Sequence, residues 1–354
     1  MHMADALLSP AVAGVMYAAS GIAAGLSVRK LKQEEKLHPE ESAKKLPVMA
    51  VMSAFVFAGQ MVNYSIPGTG SSGHICGGML LTALLGPWAG FLSMTVILTI
   101  QCLFFADGGL MALGANIWNM AFYGCFVGYF LIYRPILRSA LFHAAPAKKL
   151  ILASVLGCVL TLQLGAFSIV LETSLSGITE LPFGAFCAIM QPIHLAIGLV
   201  EGVITGAVLL FVHETRPELL QDVQPGQQRK NRVSFRTSIA VFAVVAALIG
   251  GGLSLAASGD PDGLEWSLFG NREAGYAENM GLQEDDFGME SAAADAAAAL
   301  RERTAILPDY AFAADGENPA GTAVSGLTGS AMVAVVAIVI CLAGGFFRKK
   351  SKQK

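Results

Sequence analysis

The stretch CGGMLLTALLGPWAGFLSMTVILTIQCLFF, residues 76–105, decides the topology. It is apolar throughout and longer than one crossing needs, since a bilayer core of about 30 Å takes roughly 20 residues of helix. Gly86-Pro87 interrupts it, and proline breaks a helix interior by removing a donor and crowding the preceding turn. The stretch reads as two short spans, with a re-entrant segment as the alternative.

Further apolar runs lie at about 9–28, 47–64, 112–133, 150–171, 186–212, 234–257 and 327–347. The chain is 54% hydrophobic and only 14% charged, against about 25% charged for an ordinary soluble domain. Lipid obliges each spanning backbone to satisfy its own hydrogen bonds, so helices are the expected element. The sequence therefore predicts an all-α polytopic membrane protein. Six cysteines stand singly with no CxxC pair, which argues against a disulfide framework or a zinc knuckle.

Basic residues set the orientation. Arg29, Lys30, Lys32, Lys36, Lys44 and Lys45 form one cluster; Arg134, Arg138, Lys148 and Lys149 a second; Arg216, Arg229, Lys230, Arg232 and Arg236 a third; Arg348, Lys349, Lys350, Lys352 and Lys354 a fourth. All four are expected in the cytoplasm. No basic residue precedes Arg29, so the N-terminus is expected outside, on a retained first helix rather than a cleaved signal peptide. From Pro67 outside to Arg134 inside the chain must cross an odd number of times. Two spans within 76–105 and one at 112–133 supply three. Seven helices are then expected to residue 212, followed by a cytoplasmic linker at 213–233 and a two-helix unit at 234–347, with a basic tail at 348–354. Residues 258–326 between the last two helices hold 14 acidic residues against Arg272, Arg301 and Arg303. This external segment reads first as a solvated or partly disordered loop, and second as a surface that attracts cations.

Among six histidines, His38, His143 and His213 fall on the cytoplasmic side of this topology. His2 and His74 fall outside. The Met1 amine, the His2 amide nitrogen and the His2 ring Nδ1 can close a five- and a six-membered chelate ring on one metal. That leaves one planar position, for which His74 is the external candidate. Four planar nitrogens suit Ni(II), Cu(II) or Co(II) and disfavour Mg(II) and Ca(II). A histidine at position 2 is ordinarily incidental, so spacing alone does not decide. His74 stands in Gly70-Ser71-Ser72-Gly73-His74-Ile75-Cys76, a polar, glycine-rich loop between apolar runs. Asn63, Ser71, Ser72, Asn116 and Cys76 are candidates to surround or gate the site, Ser71 and Ser72 by orienting the imidazole. Gln101, Asn119, Gln163, Gln191, His194 and Glu201 are further polar residues in apolar runs, where helix–helix hydrogen bonding is the ordinary role. His194 and Glu201 share a helix face and could couple it to its neighbours. No lysine follows a glycine, so the chain carries no GK[ST] phosphate loop.

Four patterns together resemble the CbiM/NikM family, the substrate-binding membrane subunits of energy-coupling-factor transporters for cobalt and nickel. They are Met1-His2-Met3-Ala4-Asp5 at the start, Gly70-Ser71-Ser72-Gly73-His74, Gly108-Gly109-Leu110-Met111-Ala112-Leu113-Gly114-Ala115-Asn116, and His194-Leu195-Ala196-Ile197-Gly198-Leu199-Val200-Glu201-Gly202. Pro261-Asp262-Gly263-Leu264-Glu265 and Leu307-Pro308-Asp309-Tyr310-Ala311-Phe312 resemble the small PDGLE/CbiN-like component of the same systems, so the chain looks like a fusion of the two. The resemblance implies a metal held by Met1, His2 and His74, with Ni2+ or Co2+ as transported substrate and no organic cofactor. It implies a bacterial cytoplasmic membrane, and separate partners: a CbiQ/NikQ-type coupling subunit and CbiO/NikO-type ATP-binding subunits. It implies no nucleic acid and no enzymatic activity in this chain. Asp5 would shape the N-terminal segment, and the 258–326 loop would contact that segment and the histidine loop. An ATPase-independent facilitator, a membrane metal sensor, and a membrane enzyme using His194 with Glu201 are the competing classes.

Overall fold

A computed structural model of the chain describes residues 1–139, 145–177, 182–223, 233–271, 291–312 and 319–343. His143, Arg229, Lys230, Arg232, Arg272, the tail 348–354 and parts of the linker and of the acidic segment lie outside them. The described residues form an all-α polytopic membrane protein. Seven helices are long and apolar enough to cross a bilayer, and a shorter apolar stretch runs over Lys45–Gln60.

Helix α1 (Pro10–Leu37) begins where the Ser9 hydroxyl accepts from Val12 N and Pro10 takes the first helical position, a start that satisfies one orphan donor and needs none from proline. Helix α2 (Pro39–Gln60) leads to a short hairpin, β1 (Tyr64–Ile66) against β2 (Ser71–Gly73), antiparallel with Ser65 opposite Ser72. Then come α3 (Gly78–Leu85), α4 (Pro87–Phe105), α5 (Leu113–Arg138, π-helical over Ile117–Tyr133), α6 (Pro146–Ser176) and α7 (Phe183–Thr215). Helices α6 and α7 pack closely: a Cβ at Gly202 would lie 2.6 Å from Val155 Cα.

The interrupted stretch resolves into a half-helix and a full one. The eight residues of α3 rise only about 12 Å, too little for a crossing. The rest of that path is the irregular backbone of 74–77. Irregular backbone at membrane depth survives only where protein buries and satisfies it, and here Glu201 does so. One carboxylate oxygen accepts from Cys76 N and the other from Gly77 N, both at 2.8 Å. Gly77 has φ +85°, and a Cβ there would meet Val56 at 2.3 Å; only glycine turns the chain into α3 at this point. The chain reverses at Gly86-Pro87, beside a cavity lined by Lys45, Arg134, Arg138, Gln221 and Asp222. Helix α4 returns to Asp107, near His2, and α5 runs back to the arginines. Between the hairpin and Arg134 the chain thus runs along the bundle three times, the first time as the short α3 and the irregular backbone before it.

Helices α8 (Phe235–Gly251) and α11 (Pro319–Ala343) pack on α2, with Gly329 against the Phe57 ring. Between them the described acidic segment is not a loose loop. It holds α9 (Gly263–Phe269), α10 (Ala292–Thr304) and a turn at Pro308–Tyr310, folded over the end of the bundle that carries Met1. Asp262 caps α9, one oxygen accepting from Leu264 N and Glu265 N.

Candidate metal centre

The N-terminal segment is bound like an inserted strand. The Asn116 amide takes both main-chain groups of Met3, accepting from its N at 2.7 Å and donating to its O at 3.1 Å. Gly109 N also donates to Met3 O. Asp5 Oδ1 accepts from Ala112 N, and a Cβ on Gly109 would sit 1.9 Å from that oxygen. The GGL–LGAN segment is therefore the cradle of residues 3–5, and Asp5 shapes this segment without entering the metal centre.

This anchoring buries Met1 to 6% exposure and sets the His2 ring beside that of His74. Their centroids are 5.6 Å apart and their planes 21° from parallel. The Met1 amine, both His2 ring nitrogens and His74 Nδ1 have partners. The Met1 ammonium donates to Asp262 Oδ2 at 2.7 Å. His2 Nδ1 stands 3.1 Å from Asp107 Oδ1, and its Nε2 3.3 Å from Gln101 Oε1. His74 Nδ1 faces the Ile75 carbonyl at 3.0 Å. Burial lowers the His2 ring below the usual imidazole range despite Asp107. Burial, then the nearby ammonium and His2, bring His74 down to about 4. Burial alone would raise Asp262; the Met1 ammonium overrides it and holds the carboxyl well below the usual range.

Among the described residues, no three His, Cys, Asp or Glu side chains converge as a metal-holding group. Imidazole and amine nitrogens are suited to a nitrogen-binding divalent ion once they release their protons.

The other residues singled out by sequence lie around this centre in different ways. Ser71 and Ser72 do not orient His74. The Ser72 hydroxyl donates to Asp260 O at 2.7 Å, Ser72 N donates to Pro261 O at 2.8 Å, and Ser71 Oγ lies 3.4 Å from Pro261 O. Strand pairing aims these serines at the Pro-Asp-Gly turn. Asn63 contributes its carbonyl, which accepts from Ser258 N. The Cys76 thiol donates to Met120 O. His194 and Glu201 do not meet: His194 Nδ1 pairs with Met190 O of its own helix, and its Cε1 would lie 3.1 Å from a Cβ on Gly263.

Sequence reasoning did not single out Gln60, Asp107 or Tyr310, and saw Gln101 only as a polar residue in an apolar run. The Tyr310 hydroxyl donates to Asp107 Oδ2 at 2.5 Å and its ring stacks on Phe105. Arg301 donates to Gly108 O. The signal was present: Asp107 follows directly on an apolar run, where a lone carboxylate needs a partner.

Comparison with known proteins gives the family. Residues 2–219 match the family model CbiM, described as the cobalt uptake substrate-specific transmembrane region, and residues 236–344 match the PDGLE domain. A relative from Archaeoglobus fulgidus named as a putative fused nickel transport protein NikMN is 37% identical over 256 residues, 71% of this chain and 79% of that one. The fused nickel transport protein NikMN of Rhodobacter capsulatus is 29% identical over 94% of this chain and 95% of its own. A crystal structure described as a truncated transition metal transporter aligns at TM-score 0.50 and 34% identity over 60% of this chain and 99% of that one. With more than half its length matched by the first model and most of the remainder by the second, the chain belongs to the CbiM family, as a CbiM/NikM-type region fused to a CbiN-like PDGLE component.

Proposed function

We propose that this protein is the substrate-capture component of an uptake transporter for divalent nickel or cobalt. The observation that carries the proposal is the buried N-terminus lying with His2 beside His74, in a family whose relatives are named for nickel and cobalt transport. The Met1 amine, the His2 amide nitrogen and His2 Nδ1 form the chelate, and His74 completes the plane. Loading replaces protons: Met1 releases its ammonium contact with Asp262, and His2 Nδ1 its contact with Asp107.

Residues 1–212 act as the metal-binding unit and 234–347 as the component that closes over it, joined by 213–233. The Met1 end and the 258–326 segment face the extracytoplasmic side of a bacterial cytoplasmic membrane. The end with Lys45, Arg134 and Arg138, and the C-terminus, face the cytoplasm. A coupling subunit and two ATP-binding subunits reorient the bundle to release the ion inside; this chain itself breaks no bond.

The test is nickel and cobalt competition on protein with a free Met1 amine and a tag only at Lys354, reading metal content and ligand-field spectrum together. One ion per chain with a square-planar nickel spectrum supports the site. Preferential cobalt retention keeps the site and reassigns the ion. Tight binding of neither ion sinks the proposal.

A further inference from the structure

We propose that Gln60 and Gln101 form a relay that fixes a proton on Nε2 of His2 and so reserves Nδ1 for the metal; the inference rests on the metal reading above. The last residue of α2 and a residue near the end of α4 meet inside the bundle, at 5% and 1% exposure. Gln60 Nε2 donates to the Cys76 carbonyl at 2.8 Å. Gln101 Nε2 donates to Gln60 Oε1 at 3.0 Å. Gln101 Oε1 then faces His2 Nε2 at 3.3 Å.

The direction of the chain follows from its anchor. A main-chain carbonyl can only accept, so Gln60 must present its NH2 to Cys76 and its oxygen to Gln101. Gln101 must in turn present its NH2 to Gln60 and its oxygen to His2. Neither amide can flip without opposing two oxygens or two NH2 groups. The imidazole nitrogen facing Gln101 therefore carries hydrogen. Asp107 meets the other nitrogen from the opposite side of the ring, and that contact is the exchangeable one. A metal that takes Nδ1 displaces Asp107 and leaves Nε2–H on Gln101. Only Nδ1 closes the six-membered ring with the His2 amide, so the relay selects the chelating nitrogen. It also ties His2 to the chain segment bearing His74, because its far end is the carbonyl of Cys76. Positioning of a metal-bound imidazole through its second nitrogen is a general device, and its loss costs about 10–100-fold in affinity. Gln60 and Gln101 are positioning residues here; neither touches the ion.

The test uses the full chain with free Met1, labelled with 15N-histidine, the His2 signals assigned by their loss in His2→Ala. Without metal, the relay predicts a slowly exchanging Nε2–H on His2. With nickel, it predicts that Nδ1 moves to a metal-bound shift while Nε2 keeps its hydrogen. In Gln101→Met the Nε2–H exchanges rapidly and nickel affinity falls about 10–100-fold. In Gln60→Met, Gln101 keeps only its Tyr310 contact to hold its orientation, and the Nε2–H loses part of its protection with a smaller fall in affinity. That intermediate result is one that general destabilisation does not produce, and unchanged thermal unfolding of Gln60→Met controls for folding. An unprotonated Nε2 in the native protein, nickel bound through Nε2, or native affinity in Gln101→Met overturns the relay. A native protein that shows the protected Nε2–H but binds no nickel keeps the relay's hydrogen bonds and refutes the metal reading instead.

Discussion

Two carboxylates flank the histidine loop, Glu201 buried and Asp262 half-buried, and they differ in what they hold. Glu201, inside the bundle, accepts from two main-chain N–H groups at the start of a half-helix. Those donors are fixed by the fold and have nowhere else to go. Asp262, at the seam between the two matched regions, shares itself between the main chain of α9 and the Met1 ammonium. The ammonium is an exchangeable partner, because a metal can take the same nitrogen. A fully buried carboxylate is thus a permanent brace in one place, and a half-buried one makes a replaceable contact in the other. Partner lability and depth go together here: the deep acid holds fixed main-chain donors, and the half-buried one holds an ammonium that a metal can displace.

The sharpest break of this comparison is an extension before Met1. It turns the amine into an amide, removing both the Asp262 ion pair and a chelate nitrogen, and nickel binding measured by equilibrium dialysis is expected to vanish. Undiminished binding would mean that the seam holds no exchangeable ligand. His74→Ala should leave the plane incomplete and weaken binding strongly, by two orders of magnitude or about 3 kcal/mol, in the same assay. On the other side, Glu201→Ala strands two buried N–H groups, each costing about 1–3 kcal/mol. Thermal unfolding should report this as a marked loss of stability whether or not nickel is present. Asp262→Asn can still cap α9 and loses only the charge toward Met1. Its nickel affinity should change less than tenfold, while main-chain hydrogen exchange at Ser72, held by Pro261, should quicken.

The smallest effect is on pH. The His74 ring is at about 4 in the fold and near 6.5 unfolded, so the unfolded chain binds more protons between those values. Stability is therefore fully present above pH 6.5 and declines as pH falls toward 4. His74→Gln should flatten that part of a stability–pH curve measured without metal.

Much of this molecule was legible in its sequence because membranes impose strong local rules. Apolar runs marked the helices, and Gly86-Pro87 marked the reversal. Counting basic clusters required an extra crossing; at that place stands α3, a half-helix preceded by irregular chain. His2 and His74 were nominated from chelate geometry and now lie side by side. What escaped was everything built from distant pairs. Asp262 reaches Met1 across 261 positions, Tyr310 reaches Asp107 across 203, and Gln101 reaches His2 across 99. No periodicity encodes such meetings. The acidic segment misled for a related reason: its charge suggested solvation, whereas Asp260 and Asp262 are consumed by specific donors. The serines of the hairpin misled by proximity, since β pairing aims them at the Pro-Asp-Gly turn and away from the adjacent imidazole.

The contact between residue 1 and residue 262 also sets a timetable. At about 5–20 residues per second, the ribosome adds Asp262 roughly 13–50 s after residue 1. Throughout that interval the N-terminal segment must wait, and any enzymatic trimming of its amine must finish within it. Once the Pro-Asp-Gly turn arrives and docks on Ser72, the amine is enclosed. If the amine is a ligand, processing is expected to precede closure.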